Sequence, residues 1–185
     1  MIFFIGSING KCFSKEKLVT YYEEYYERKF DGCCAETERI NFVMIDNDNE
    51  AEVSFFEEGD IGVYGDLVNA FWNDGEECNI SNYEKMALEY KKEGINAIKK
   101  LSGDFSFVLV DYLSEKVFMV RDQFGIKQLF WHKKDNNFVF SNLLFGLNDF
   151  YDANTVSEEF VKKYFDNNGL LDFCQTPYKE VYRVN

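Results

Sequence analysis

Proline and histidine are almost missing from this chain, with one of each in 185 residues. A single proline excludes a long proline-rich linker. A single histidine, His132, leaves little material for a His-based metal site or a Cys–His dyad. The five cysteines, Cys12, Cys33, Cys34, Cys78 and Cys174, are odd in number and irregular in spacing, which makes a poor disulfide framework. The adjacent pair Cys33-Cys34 lacks the C-x-x-C spacing of a zinc knuckle, so no metal site is expected. Basic charge is scarce too: 20 Lys and Arg stand against 33 Asp and Glu, for a net charge of −13. That balance argues against nucleic acid, whose phosphates need clustered cations. It fits a well-solvated surface, or one that meets a basic partner. No run approaches the roughly 18 apolar residues of a membrane span. The first residues carry no basic segment ahead of their short apolar run, so they do not read as a signal peptide. The expectation is a soluble, cytoplasmic protein without membrane contact.

What the chain does have is aromatic residues, 20 Phe and 12 Tyr among them, which favour strand-rich packing. The length is that of a single domain, 1–185. Residues 2–9 read as a buried strand in which Gly6 permits close packing. From Ser14, a cap residue, to about Lys29 the pattern is helical, with Leu18, Tyr22, Tyr25 and Tyr26 on one face. Strands are expected at 38–46, 51–57 and 60–68. Residues 82–101 read as helical, with Gly94 dividing a long segment from a short one. Four strands in quick succession follow, at 105–112, 116–122, 128–134 and 137–142, with hairpin-length separators. A last helix runs from about Ser157 to Phe165, with Phe160, Val161, Tyr164 and Phe165 as its apolar face. Strands, helices and then a run of antiparallel strands argue an α+β layered fold rather than parallel βαβ repeats.

One short stretch, "RDQFGIK" (121–127), carries its own physical reading. Gly125 allows the positive φ of a tight turn. Asp122 can accept from turn amides or pair with Arg121. Phe124 and Ile126 can plug the core below. Read this way the stretch is a structural hairpin with no ligand.

The larger block "LSGDFSFVLVDYLSEKVFMVRDQFGIKQLFWHKKDNNFVFSNLLFGL" (101–147) resembles the second half of the class II glutamine amidotransferase domain of asparagine synthetase. That family's pattern is L-N-G-x-F-A-F, a hairpin, then R-D-x-F-G-I-K-P-L. Leu101, Gly103, Phe105 and Phe107 match the first part. Arg121, Asp122, Phe124, Gly125, Ile126, Lys127 and Leu129 match the second, with Gln128 in place of proline. Weaker anchors at Gly6 and Gly65 extend the resemblance to nearly the whole chain. It implies an N-terminal-nucleophile fold: a four-layer αββα sandwich of two antiparallel sheets between helix layers. It also implies a chemistry in which a cysteine at position 2, freed by removal of Met1, attacks glutamine with its own amine as base. An Asn-Gly pair holds the oxyanion, and an arginine and an aspartate hold the substrate's charged ends.

Set against the family's pattern, the residues that should do this chemistry are replaced. Ile2 stands at the nucleophile, and a butyl group cannot attack a carbonyl. Tyr64 stands at the oxyanion asparagine, leaving Gly65 as half a hole. Asn82 stands at the aspartate and Asn41 at the arginine. "KFDGCC" lies where the family has an R-G-P-D turn. The resemblance therefore implies a degenerate domain with no catalytic residue of its own, in which Ile2, Asn41, Tyr64, Gly65 and Asn82 mark a vestigial glutamine pocket. Cys12 after propeptide removal is the escape route, but "GKCFSKE" lacks the glycine and apolar run that should follow a nucleophile. "TPYKEVYRVN" resembles the connector to the family's second domain. The S-G-G-x-D pyrophosphate loop of that ATP-binding domain does not occur in these residues, so no cofactor is expected on this chain; ATP and Mg would belong to a synthetase domain, joined in cis or acting in trans. Family members that lack the glutaminase cysteine include β-lactam synthetases and lasso peptide macrolactam cyclases. A free-standing module binding a peptide or small molecule in the vestigial pocket is the alternative.

Overall fold

A computed structural model describes residues 2–10, 14–37, 39–47, 55–75, 79–151, 155–166 and 174–185. Its elements in chain order are β1 (Ile2–Ile8), α1 (Lys15–Tyr26), β2 (Asp31–Glu36), β3 (Ile40–Asp46), β4 (Phe55–Glu58), β5 (Ile61–Trp72) and α2 (Asn82–Glu93). A 3-10 helix (Gly94–Lys100), β6 (Leu101–Asp111), β7 (Lys116–Arg121), β8 (Phe130–Lys134), β9 (Asn137–Ser141), α3 (Leu144–Tyr151), α4 (Glu158–Asp166) and β10 (Val181–Arg183) complete it. Both long helices begin where a serine can satisfy an orphan N–H. Ser14 Oγ accepts from the Lys17 amide at 3.4 Å, and Ser81 Oγ from the Glu84 amide at 3.1 Å. Gly94, at φ 63°, ends α2 where the sequence places the break, and the segment after it is 3-10 rather than α-helical.

The strands form two antiparallel sheets. The first runs β10-β8-β9-β1-β3-β2 and the second β4-β5-β6-β7. Side chains alternate across each strand, and this alternation builds three apolar layers. Phe3 and Ile5 of β1 join Val43 and Ile45 of β3 under α1 and α3, with Leu18, Tyr22 and Leu147. Ile2 and Phe4 face the other way, with Phe42, Met44 and Phe140, and meet Tyr64, Val108 and Val110 of the second sheet. The far face of that sheet carries Val63, Leu67, Phe107 and Leu109 against Tyr83, Met86 and Ala87 of α2. The architecture is the αββα sandwich expected from the resemblance. Gly6 lies against the Phe140 ring, where an added Cβ would sit 2.3 Å from it.

Three elements were not legible in advance: β2, α3 and β10 as a paired strand. One helix face also needs correction. Tyr25 is 65% exposed, while Leu18 and Tyr22 are buried, so Tyr25 stands outside the core. Cys33, Cys34 and Cys174 form no disulfide among the described residues. His132 is a core residue of β8, its Nδ1 sharing a 2.9 Å hydrogen bond with the Glu180 carbonyl. No helix among the described residues is long and apolar enough to cross a membrane.

Candidate functional site

The layer between the two sheets is where the residues singled out in the sequence should meet. Ile2 and Tyr64 do meet there, in one apolar cluster with Phe4, Phe42 and Phe140. Tyr64 is fully buried. Its ring stacks on Phe55 (6.1 Å, 14°) and lies 5.5 Å from Phe42. Its hydroxyl donates to Glu57 Oε2 at 2.6 Å. With that proton committed, the hydroxyl of Tyr112, 2.9 Å away, donates to Tyr64. Burial first, and then the bond to Glu57, hold the Tyr64 phenol far above the usual tyrosine range, so it stays neutral. Burial likewise pushes Tyr112 up to about 12. Tyr64 therefore fills the layer and anchors a Glu57–Tyr64–Tyr112 chain.

Gly65 follows with φ 142°. A Cβ there would lie 2.5 Å from the Ser106 carbonyl and 2.6 Å from Phe107 Cα, so only glycine fits between β5 and β6. Its carbonyl accepts from the Tyr83 hydroxyl at 2.9 Å. Next to it runs a polar row that sequence reasoning missed: Asp66 pairs with Ser106, and Ser106 with Arg121, across three strands. Lys127 closes on this row, its Nζ 2.8 Å from Asp66 Oδ2, with the carboxylate wholly buried and the lysine one-quarter exposed. Ser106 Oγ and Arg121 Nε have no hydrogen-bond partner among the described residues. The only signal was that Asp66 directly follows the Gly65 anchor.

Asn82 and Asn41 lie outside this layer. Asn82 opens α2, and its amide is wholly engaged with the β-bulge between Asp66 and Asn69. Nδ2 donates to the Leu67 and Ala70 carbonyls at 3.0 and 2.8 Å, and Oδ1 accepts from Trp72 Nε1 at 3.0 Å. A carboxylate could accept from the indole but could donate to neither carbonyl. Asn82→Asp should therefore lower stability by about 1–3 kcal/mol, since two buried acceptors would face a like charge. A denaturant titration that leaves the midpoint in place would show that the amide is not the clamp. Asn41 is the clearer departure from expectation. The β1–β3 register places it opposite Ser7, whereas Ile2 stands opposite Asp46. Five residues of strand separate the two, about 17 Å at roughly 3.4 Å each. By alternation Asn41 also lies on the helix-covered face, so it cannot share a pocket with Ile2. Its Nδ2 lies 3.4 Å from the Gly10 carbonyl.

The "RDQFGIK" stretch is not a hairpin. β7 belongs to the second sheet and β8 to the first, so residues 122–129 carry the chain from one sheet to the other. Gly125 has φ 67°, as expected. Asp122, 2% exposed, gathers the turn: Oδ1 accepts from the Phe124 and Ile126 amides (3.1 and 2.9 Å) and Oδ2 from the Lys127 amide (2.8 Å). Turning those amides inward turns their side chains outward. Phe124 is 85% and Ile126 59% exposed, so neither plugs the core; Leu129 does.

The residues then acquire a lineage. Residues 43–185, well over half of the chain, match the family described as "Glutamine amidotransferase domain". The chain belongs to that family. Its amidotransferase domain is asparagine-synthetase-like. It is 28% identical over 92 residues to a putative glutamine-hydrolysing asparagine synthetase 2 of Methanocaldococcus jannaschii, covering 48% of this chain and 17% of that protein. It is 36% identical over 62 residues to the glutamine-hydrolysing asparagine synthetase 2 of Bacillus subtilis, covering 34% of this chain and 8% of that protein. The matches thus span a small part of both relatives. Among solved structures, the glutamine phosphoribosylpyrophosphate amidotransferase of B. subtilis, complexed with ADP and GMP, aligns at 13% identity. That alignment covers 79% of this chain and 43% of that one, with a TM-score of 0.46.

Among the described residues, the start of β1 carries only the aliphatic and aromatic side chains of Ile2, Phe3 and Phe4. The Ile2 side chain is packed in apolar surroundings, and its carbonyl accepts from Asn142 Nδ2 at 2.9 Å. The buried carboxylate of β5, Asp66, is paired with Lys127. Cys12 lies outside the described residues.

Proposed function

We propose that this is a non-catalytic glutamine amidotransferase domain belonging to an ATP-dependent, amide-forming ligase of the asparagine synthetase kind. The observation that carries the reading is Ile2: an aliphatic side chain, 7% exposed, packed in one layer with a buried tyrosine where the family's chemistry needs a thiol and an amide. A ligase whose amine comes from its own substrate, of the β-lactam synthetase or lasso peptide cyclase type, has no need for ammonia from glutamine. ATP and Mg would then be held by the synthetase domain, in cis or in trans, and this domain would support that partner.

The surface is consistent with a partner. Val156, Val161, Tyr164, Phe165 and Tyr182 are all exposed, and no residue of α4 is buried. The first turn of α4 and the segment leading into β10 border a groove of about 550 Å³, in which Phe160, Tyr178 and Tyr182 lie among polar side chains. A helix of nine residues with an uncovered apolar face gains little from itself, because short helices depend on packing. A stable interface with the synthetase domain would bury more than about 1,000 Å². As a free-standing module the domain would leave this face bare.

The test is enzymatic. The protein should release no glutamate from glutamine above a buffer control, and Ile2→Cys should not create the activity. A missing oxyanion donor alone lowers such rates by about 100–1000-fold, and here the substrate contacts are replaced as well. Turnover that survives Cys12→Ala would overturn the reading. Turnover abolished by Cys12→Ala would establish the propeptide route instead.

A further inference from the structure

We propose that α1 carries an aromatic cage for the trimethylammonium group of a small-molecule ligand. Four tyrosines in the pattern YY-EE-YY occupy successive turns of the helix, at Tyr21, Tyr22, Tyr25 and Tyr26. Tyr22 and Tyr26 lie nearly parallel, 23° apart with centroids at 6.1 Å, and form a floor. Phe3 of β1 stacks beneath both, at 4.7 and 5.3 Å, which fixes that floor to the core. Tyr21 stands at 88° to Tyr22, and Tyr25 at 70° to Tyr26, as two walls. Leu143 of the β9–α3 connection and Phe145 of α3 close the recess. All four tyrosines line the one recess, and a cluster of aromatic rings is the surrounding that quaternary ammonium groups seek.

Size and charge select the ligand. The recess holds about 130 Å³, well short of the roughly 300–1,000 Å³ of a pocket for a whole drug-sized molecule, and enough for one head group. Tyr21 also borders a second, shallower recess of about 370 Å³ lined by Glu16, Lys17, Thr20 and Glu24. The rest of the ligand would run there, beside two carboxylates, on a protein whose net charge of −13 draws cations toward it. Tyr21 and Tyr25 are 37% and 65% exposed, so they add little to folding and are open to a ligand. The site lies on the helix-covered side of the first sheet, away from the inter-sheet layer, and stands whether or not the domain is catalytic.

Choline is the probe, titrated into the full chain and followed by the ring resonances of Tyr21, Tyr22, Tyr25 and Tyr26. Saturable shifts confined to those rings are expected, with millimolar affinity. The neutral analogue in which carbon replaces the ammonium nitrogen should bind about tenfold more weakly, because it lacks the cation–π term. Tyr25→Leu should weaken choline by a similar factor with an unchanged melting temperature, and Tyr25→Phe should retain it. Equal binding of the neutral analogue, indifference to Tyr25→Leu, or no saturation at tens of millimolar would each overturn the proposal.

Discussion

Tyr64→Asn, which introduces the asparagine that the resemblance expects at this position, should destabilise the protein by about 3–5 kcal/mol, the range for losing a large buried aromatic. The ring fills the space between Phe42 and Phe55, and an amide would leave a cavity there lined by aromatics. It would also strip Glu57 and Tyr112 of a shared partner. Tyr64→Phe separates the two effects: it keeps the volume and removes only the hydroxyl, for about 1–2 kcal/mol. Denaturant titration of both variants reads the difference. A shift below about 1 kcal/mol for the asparagine variant would mean that the layer collapses around the gap and that the tyrosine is not what holds it open. The stability of the layer would therefore oppose an asparagine at this position.

The second large effect is expected at the crossover between sheets. Asp122→Ala should lower stability by about 3 kcal/mol or more, since three backbone N–H groups lose a charged acceptor at a residue only 2% exposed. Asp122→Asn should cost less, because its remaining carbonyl oxygen can still hold two of the three. Gly125→Val should be comparably damaging. A positive φ strains a β-branched residue by about 1–3 kcal/mol, and a Cβ at this position would meet the Arg121 guanidinium at 2.3 Å. An unchanged melting temperature in either variant would mean that the turn is not what joins β7 to β8.

The parts of this fold that could be read in advance are those with a local signal. Ser14 announces a helix start, Gly94 a helix end, and the short polar separators the β6–β7 and β8–β9 hairpins. The role of Asp122 was also local, since an aspartate ahead of a glycine turn has amides within reach. What escaped reading depends on distant parts of the chain. β2, "DGCCAE", buries only Ala35 and exists because β3 offers it an edge. Phe124 and Ile126 looked like core residues because they are apolar, yet the amides held by Asp122 decide where they point. The candidate site divides the same way. Ile2 and Tyr64 could be placed by strand alternation. Asn41 could not, because its distance from Ile2 follows from the register of two strands. The duty of Asn82 was hidden because its two acceptors are backbone carbonyls on β5, which no residue identity reveals.

β1 lies inside the first sheet, between β3 and β9. β9 pairs only with Ile5–Ile8, and Asn142 completes that side, taking the Phe4 amide on its side-chain oxygen across 138 residues of chain. During synthesis, therefore, β1 must wait for the chain that carries Asn142, 138 residues after Phe4, before its second neighbour is in place. Until then its free edge shows backbone donors and acceptors beside Phe3, Phe4 and Ile5, which is the profile of a segment prone to pair with the wrong chain. So long a closure also places the protein among slow folders, where non-local strand pairing sets the rate.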